Sequence, residues 1–429
     1  MSQNEQRPAS YGDVFASREY RAMFASDLTS LLGDQVAAVA LAVLLYQRSG
    51  SALLAALGYA TAYVPWVVGG PVLSALADRL PPRRVVVGAD LARAALIGLA
   101  AVPGVPIPAL GLLVLLAALL APPFEAAISS MYPQVLTGDR YAVGMSVRDI
   151  THQSSQIAGF VGGGALVGLV GPHGALGLDA ASFAASALLL RVGLIARPSA
   201  VEPPRHLLQD AAEGLRVVLG DRRLYGPLLL GMCGAAYVVV PEAIAVAYAH
   251  SLGYGARAVG LIMAGVASGS ILGSLVIGRF VGPTRRRALM WPMAMAGTLP
   301  LIAVALRPGL QASLVLFVLA GTGSAYQVAA NTAFARAAPA HARARAFGIA
   351  LTGMYGAQGL AIVAAGAAAQ VFGPVAVIAG AGVLGAVAML LVRPTLATAP
   401  GRKRSAAPGP GPAPATPAPA PEGCPSTAP

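Results

Sequence analysis

Residues 74–84 read SALADRLPPRR and lie between two long apolar segments of the chain. Pro81 and Pro82 cannot continue an α-helix, because proline has no backbone N–H and its ring clashes with the preceding turn. The acid and the arginines of this stretch are costly in hydrocarbon, so they belong in water or among lipid headgroups. The stretch therefore predicts a tight loop between two membrane-spanning helices.

The composition also indicates a membrane protein. Of the 429 residues, 56% are hydrophobic and only 11% are charged, which is too apolar for a soluble protein of this length. The formal net charge of +12 could indicate nucleic-acid binding, but the arginines gather in alternate loops rather than on one face. Arg48, Arg257 and Arg307 fall on the opposite side, and Arg93 falls inside a span. We therefore expect no nucleic-acid partner, and we expect the basic loops and both termini to be cytoplasmic.

Apolar runs of roughly 20 residues, long enough to cross a bilayer, recur along most of the chain. We place twelve spans, six in each half. In the first half they run over residues 21–46, 52–73, 85–103, 109–131, 146–170 and 175–195. In the second half they run over residues 225–249, 257–280, 288–306, 312–334, 345–371 and 374–392.

These spans divide the chain into five predicted segments. The two halves also repeat each other weakly, since a shift of about 200 residues sets Arg79 on Arg279, as expected of bundles related by internal symmetry. Residues after Arg393 are rich in Pro and Ala and cannot form a packed core. The predicted segments are a cytoplasmic N-terminal segment (1–20), a six-helix bundle (21–196), a cytoplasmic linker (197–224), a second six-helix bundle (225–393) and a disordered cytoplasmic tail (394–429).

The loop at residues 74–84 resembles the G-x-L-A-D-R-x-G-R-R signature of the major facilitator superfamily. The chain also resembles, over about residues 18 to 395, the twelve-span branch that exports drugs, macrolides and siderophores. The segments that carry this resemblance are SLLGD at 30–34, DLAR at 90–93, PFEA at 123–126 and LDAASF at 178–183. The resemblance implies an all-α integral membrane protein with twelve transmembrane helices in two pseudo-symmetric six-helix bundles.

The resemblance also implies a role for the charged loop. Asp78 and Arg79 would form a cytoplasmic latch, with the carboxylate meeting the positive end of the eleventh helix near Arg345. The alternative is a loop that serves only topology through its positive charge. The same gate and loop motif contains Arg83 and Arg84 of the loop, and also Asp90 and Arg93 of the helix that follows it, for which we expect a structural role close to the turn. Asp90 and Arg93 stand at i and i+3, so they can neutralise each other within one helix.

Four acids are candidates for transport or proton coupling, because an ionisable side chain inside a span needs a partner or a water-filled cavity. Asp27 and Asp34 share one face of the first span. The helical rise puts Asp34 about 20 Å from Arg21 and Asp27 roughly half as deep. Asp34 is therefore the candidate for a proton or substrate-cation site, and Asp27 for a gate or a structural acid.

Glu242 follows Pro241, which should kink the seventh span and free a backbone carbonyl. A carboxylate in an apolar surround can exchange protons near neutrality, so Glu242 is a candidate coupling or substrate residue. The alternative is an acid already hydrated near the outer mouth. Glu125, beyond a Pro-Pro pair, is a candidate for an inner gate or a structural role.

Polar and aromatic residues of several spans are candidate cavity walls, with lipid-facing or core positions as the alternative. They are Tyr63, Trp66, His152, Gln153, Gln156, Tyr237, Tyr326, Asn331 and Tyr355. Small residues spaced four apart allow helix backbones to approach closely. The helix-interface candidates are Gly159 and Gly163, with Gly164 and Gly168, in the fifth span, and Gly265, Gly269 and Gly273 in the eighth.

Taken together, these features predict a transporter and not an enzyme. The sequence has no catalytic constellation, no metal-ligand spacing and no G-x-x-x-x-G-K-[ST] signature, so we expect no cofactor and transport driven by a gradient. We expect a monomeric, multi-pass exporter in a bacterial inner membrane that exchanges protons for a drug-like molecule, giving multidrug resistance. The alternatives are a dedicated siderophore or antibiotic self-resistance exporter, and a transport-inactive membrane sensor or scaffold.

Overall fold

The computed structural model describes residues 10–68, 80–197, 207–339 and 343–396. All regular secondary structure in these ranges is helical. The prediction for the first part of the charged loop, with Asp78 and Arg79, lies outside the described residues, as does the prediction for the C-terminal tail from residue 397.

The first half of the chain begins with a short helix and continues with longer ones. Its helices are α1 (Tyr11–Phe15), α2 (Arg18–Ser49), α3 (Ala52–Ala60), α4 (Val64–Val68), α5 (Pro82–Ala100), α6 (Ile107–Leu119), α7 (Ala121–Val135) and α8 (Asp139–Gly193).

The second half begins with a helix in the predicted linker. Its helices are α9 (Leu207–Gly220), α10 (Arg222–Val238), α11 (Val240–Ala243), α12 (Ala245–Ser251), α13 (Ala256–Phe280), α14 (Pro283–Ala296), α15 (Leu299–Ala303), a 3-10 turn (Val304–Leu306), α16 (Leu310–Gly323), α17 (Tyr326–Ala337), α18 (Arg343–Phe372) and α19 (Pro374–Leu396).

Nine helical runs within the described residues are long and apolar enough to cross a membrane, which indicates a multi-pass membrane protein. They are Arg18–Ser49, Ile107–Val135, Asp139–Gly193, Arg222–Ala243, Ala256–Phe280, Arg285–Leu306, Leu310–Ala337, Arg345–Phe372 and Pro374–Leu396.

Local sequence explains where these helices begin and end. The Ser17 side chain accepts a hydrogen bond from the Tyr20 N–H and caps the start of α2. Gly50 ends the same helix in the left-handed conformation, with φ at 64°, which a residue without a Cβ adopts readily. Ser51 then caps α3 through the Leu54 N–H. A turn of very few residues therefore joins α2 to α3.

The α8 helix is broken at Gly171, where φ is 74° and ψ is 169°, and Pro172 follows. On one side of the break, the Gly144 carbonyl accepts a hydrogen bond of 3.1 Å from the Tyr20 hydroxyl. On the other side, Gly193 packs against Ala22. Because both contacts lie at the start of α2, the chain reverses at Gly171. This confirms the predicted boundary between residues 170 and 175.

The predicted polar linker contains a helix that the sequence analysis did not find. The Glu213 carboxylate of α9 lies 2.6 Å from the Arg345 guanidinium of α18. A Cβ on Gly214 would lie only 3.0 Å from the Arg345 carbonyl oxygen, so glycine allows close packing. The linker helix is therefore docked on the second half.

The two halves meet at the end of the helices that carries the turns at Gly50 and Gly253, here called the Gly50 end. The backbones of α8 and α13 approach so closely that a Cβ on Gly164 would lie 2.8 Å from the Ala256 carbonyl oxygen. The Gln370 amide donates a hydrogen bond to the Ser51 hydroxyl at the same end. These contacts join α8 to α13 and α18 to the start of α3.

The glycine stripes have different neighbours. Gly159 and Gly163 face α2, where a Cβ on Gly163 would lie 2.9 Å from the Val36 Cα. In the eighth predicted span, Gly265, Gly269 and Gly273 face α16. Their nearest neighbours there are Phe317, Val318 and Thr322, respectively. These five glycines therefore pack helices within a half, whereas Gly164 packs against Gly260 across the halves.

Candidate functional site

A cavity of about 570 Å³ lies between the two halves of the chain, within the size range of small-molecule sites. Its first-half walls are α2, α3, α4, α5, α6, α7 and α8, and its second-half walls include α11, α13 and α18. The charged and polar side chains that line it are Asp27, Ser30, Asp34, Gln35, Tyr59, Thr61, Tyr63, Arg93, Glu125, His152, Gln153, Gln156, Asp179, Glu242, Ser270, Ser324, Gln327, Tyr355 and Gln358.

Glu242 reaches the cavity from a break in the seventh predicted span. The α10 helix ends at Val238, Pro241 lies in the first turn of the short α11, and Ile244 leaves helical geometry with φ at −115° and ψ at 20°. The Tyr59 hydroxyl of α3 donates a hydrogen bond of 2.8 Å to Glu242 Oε2. This bond joins the two halves across the cavity, and Pro241 breaks the span as predicted.

Tyr59 begins a row of aromatic rings along the cavity, here called the aromatic row (Tyr59, Tyr63, Tyr355 and Trp66). The Tyr59 and Tyr63 ring centroids are 5.8 Å apart, and those of Tyr63 and Tyr355 are 5.9 Å apart, both edge-on. Trp66 stacks on Tyr355 at 5.4 Å. The row supplies flat apolar surface beside the Glu242 carboxylate, and Tyr355 comes from the second half.

The first half carries a second charged group, here called the Arg93 cluster (Asp34, Asp90, Arg93 and Asp179). Arg93 Nη1 lies 3.9 Å from Asp90 Oδ1, and the guanidinium lies over the Phe124 and Phe183 rings at 5.4 and 5.2 Å. It also interacts electrostatically with Asp34 and Asp179. Asp34 is exposed to the cavity, whereas Asp90 and Asp179 are buried.

Serine hydroxyls complete the buried side of this cluster. The Ser186 hydroxyl donates to Asp90 Oδ2 and is itself 2.6 Å from the Ser26 hydroxyl. The Ser182 hydroxyl lies 3.3 Å from Asp179 Oδ1. Asp34 is therefore the exposed acid of the Arg93 cluster, whereas Asp179 lines the same cavity from a buried position. The predicted pairing of Asp90 with Arg93 is present.

Arg148 joins the other two candidate acids in a third group, here called the Arg148 bridge (Asp27, Glu125 and Arg148). Arg148 Nη2 donates to both Glu125 oxygens at 2.7 Å, and Arg148 Nε lies 3.4 Å from Asp27 Oδ2. The guanidinium also lies 5.4 Å from the Tyr132 ring centre. Asp27 and Glu125 are therefore partly neutralised by one arginine that ties α2, α7 and α8 together.

Sequence reasoning missed Arg148 because it was counted with the basic residues of the loops. One signal could have found it. Arg148, His152 and Gln156 recur at i, i+4 and i+8, which gives a polar face to an otherwise apolar helix. His152 and Gln156 both line the cavity.

The other candidate wall residues divide into two groups. Tyr63, Trp66, His152, Gln153, Gln156 and Tyr355 line the cavity, as predicted. The Tyr237 hydroxyl instead donates to the Ala294 carbonyl at 2.8 Å, and the Tyr326 hydroxyl donates to the Leu230 carbonyl at 3.3 Å. Both tyrosines are buried in the second half and pack its helices together. Asn331 is exposed and is not among the residues that line the cavity.

The described end of the charged loop has a structural contact. The Arg83 guanidinium donates to the Arg191 carbonyl near the end of α8, whereas Arg84 is exposed. Arg83 therefore ties the start of α5 to the end of α8.

A polar cavity enclosed by apolar helices is the arrangement expected of a membrane transporter. The chain matches the family model of the Major Facilitator Superfamily over residues 23–243 and 236–422. It therefore belongs to the major facilitator superfamily. No curated protein matches the sequence.

Solved transporters share the fold at low identity. The nucleoside transporter NupG is 14% identical, with a TM-score of 0.71 over 88% of this chain and 100% of that one. The peptide transporter POT in complex with sulfate is 14% identical, with a TM-score of 0.69 over 92% and 96%. A bacterial homologue of the iron transporter ferroportin, in an inward-facing state, is 14% identical, with a TM-score of 0.68 over 88% and 98%. These similarities concern the fold alone.

Proposed function

We propose that the chain is a secondary active exporter that exchanges protons for a drug-like or natural-product molecule by alternating access. In this proposal twelve spans form two six-helix bundles, residues 21–196 and 225–393, joined by the linker at 197–224. The protein is a monomer in a bacterial inner membrane with both termini in the cytoplasm, so the Gly50 end faces outward. The substrate occupies the cavity between the bundles.

The observation that carries this proposal is a cavity with carboxylates from both halves. Asp34 faces it from the first half and Glu242 from the second. A carboxylic acid in a low-dielectric site can alternate between neutral and charged forms with modest changes of environment. Because the two acids lie on halves that move relative to each other, one can bind a proton while the other binds a cation.

Alternating access also requires that the cavity be closed on one side, and the contacts at the Gly50 end close it there. The close approach of Gly164 to the α13 backbone and the hydrogen bond from Gln370 to Ser51 join the halves there, and the bond from Tyr59 to Glu242 joins them across the cavity. Opening of this end requires that all three contacts separate. At Gly164 and Gly260 the α8 and α13 backbones meet without side chains between them, and small residues at such a contact allow movement.

Within this cycle Asp34 is the proton site. Its neighbour Arg93 is held between two aromatic rings and paired with Asp90, so a positive charge remains beside Asp34 in every state. Loss of a proton from Asp34 strengthens its attraction to Arg93, and gain of a proton weakens it. Protonation can therefore shift the position of α2 relative to α5, which couples the proton to the conformational equilibrium.

Proton flux in everted membrane vesicles tests the proposal. The vesicles are energised, their internal acidity is followed with a pH-sensitive dye, and lipophilic amines and macrolide-like compounds are added in turn. We expect at least one compound to discharge the proton gradient with the wild-type chain and not with Asp34→Asn. Asp149→Asn, on an exposed face of α8, is the matched control and should behave as wild type.

Two results would refute the proposal. One is export of a compound at an unchanged rate when a protonophore has removed the gradient. The other is an unchanged proton signal in Asp34→Asn for every exported compound.

A further inference from the structure

The carboxylates of the cavity differ in their internal partners. Asp27 and Glu125 share Arg148, and Asp34 has Arg93 nearby. Glu242 has a hydrogen bond from the Tyr59 hydroxyl, and the described part of the chain places no arginine, lysine or histidine in ion-pair contact with it. Glu242 is half-buried in the wall of the cavity, and a carboxylate withdrawn from water without a cation is costly unless it is neutral or receives one.

We propose that Glu242 binds the ammonium group of the substrate, and that the substrate displaces Tyr59 as it binds. The substrate is then a protonated primary or secondary amine that carries an aromatic or flat apolar body. The amine lies on Glu242 and the body lies along the aromatic row. This inference rests on the proposed function and names the substrate class of that cavity.

The number of N–H donors on a cation decides whether it can displace the Tyr59 hydroxyl from Glu242. Glu242 Oε2 already accepts one hydrogen bond, and a protonated primary amine offers three N–H donors that can replace it. A charge-assisted N–H···O bond is about twice as strong as a neutral one. A quaternary ammonium has the same charge but no donor, so it can bind the aromatic faces without replacing the Tyr59 hydroxyl. The two kinds of cation should therefore act differently.

Displacement of Tyr59 also reaches the contact between the halves. Tyr59 lies on α3, the helix that packs against α18 at the Gly50 end. There a Cβ on Gly366 would lie 3.1 Å from the Leu53 Cα, and Ser51 receives the hydrogen bond from Gln370. An amine that replaces the Tyr59 hydroxyl as the hydrogen-bond donor to Glu242 removes one bond that holds α3 to the second half. Substrate binding therefore favours separation of the halves at this end.

Chemical cross-linking at Ser51 and Gln370 tests the inference. Cysteines are placed at these two positions in a chain whose two native cysteines, Cys233 and Cys424, are replaced by serine. The rate of joining by a short bismaleimide then reports closure of the Gly50 end. The probes are 4-phenylbutylammonium and its N-trimethyl analogue, which differ in N–H donors and share charge and ring. Each probe's binding is measured separately.

In the otherwise native background we expect the primary amine to slow cross-linking about tenfold, the size of one charged hydrogen bond, and the trimethyl analogue to leave the rate unchanged. Tyr59→Phe should slow cross-linking without a probe and make the primary amine ineffective. Tyr237→Phe removes a tyrosine hydroxyl bond that is buried within the second half, and it should respond as the native background does.

Equal effects of the two probes in the native background would overturn the inference, whatever the variants do. So would a full response to the primary amine in Tyr59→Phe. If the same protein exports uncharged compounds by proton exchange and binds neither probe, the inference fails while the proposed function stands. If the probes give the expected difference but no proton movement accompanies export, the inference stands and the proton coupling fails.

Discussion

The two halves of the chain supply acids to one cavity but neutralise them in different ways. The first half provides its own cations, with Arg93 held beside Asp34 and Arg148 between Asp27 and Glu125. The second half presents Glu242, whose hydrogen-bond partner Tyr59 belongs to the first half. An acid with a resident cation can lose and regain a proton without any ligand. An acid without one is suited to a ligand that brings its own charge.

Replacement of the second-half acid should have the largest effect. Glu242→Gln keeps the side-chain shape but cannot hold a positive charge. Loss of one partner of a desolvated charge pair costs about 2–5 kcal/mol, so transport efficiency for an amine substrate should fall by about thirtyfold or more. The measurement is the initial rate of export against substrate concentration in vesicles.

Glu213→Gln is the matched control, because it makes the same chemical change in an ion pair on the linker helix outside the cavity. A Glu242→Gln chain that exports amines at the control rate would remove the distinction between the halves.

Removal of a first-half cation should mainly affect stability. Arg148→Met leaves Asp27 and Glu125 close together with no cation between them. Glu125 keeps 34% of its side chain exposed, so we expect a loss of about 2 kcal/mol in free energy of unfolding, below the value for a fully buried pair. Thermal unfolding in detergent measures it.

The triple variant Arg148→Met, Asp27→Asn and Glu125→Gln removes the stranded charges as well and should regain more than half of that loss. If the triple variant is no more stable than the single one, the arginine does not act by neutralising these acids.

Crowding of the contact between the halves should have a smaller effect. A Cβ on Gly164 would lie 2.8 Å from the Ala256 carbonyl oxygen, so Gly164→Ala forces α8 and α13 apart. Overpacking of this kind costs about 1–3 kcal/mol. We expect several-fold slower export and slower cross-linking between cysteines at Ser51 and Gln370.

Gly162→Ala is the control for this substitution, because a Cβ there meets nothing within 4 Å. Equal rates for the two alanine variants would mean that the α8–α13 contact does not limit closure.

Truncation of the aromatic row should have the smallest effect. Trp66→Leu removes the ring that stacks on Tyr355, and an aromatic pair contributes about 1 kcal/mol beyond its buried area. Binding of an aromatic amine should weaken about fivefold, while an aliphatic amine of similar length should bind as before. Competition binding to purified protein compares the two, and equal weakening of both would show that the row does not recognise rings.

Features set by short-range chemistry could be predicted from the sequence. Gly171 and Pro172 end one helix and start the next, and the chain reverses there. Pro241 interrupts the seventh predicted span, and Glu242 beside it lines the cavity. Asp34 lies on the cavity face of α2, as its spacing from Asp27 predicts. These features follow from backbone geometry and from the cost of charge in hydrocarbon.

Features set by contacts between distant segments could not be predicted. Arg148 pairs with Asp27 and Glu125 from other helices, and nothing near Arg148 in the chain names those partners. The stripe of Gly159 and Gly163 looks like that of Gly164 and Gly168, yet the first faces α2 and the second faces α13. A rotation of about 140° separates the two faces, and only packing decides which neighbour each one meets.

The division of roles between Asp34 and Glu242 is tested most directly by one comparison in proteoliposomes. Asp34→Asn is assayed for exchange of labelled amine against unlabelled amine without a gradient, and for accumulation driven by a proton gradient. The account predicts exchange near the wild-type rate and loss of gradient-driven accumulation, because Glu242 still binds the amine while the proton site is gone. Loss of exchange together with accumulation, or retention of both, would contradict it.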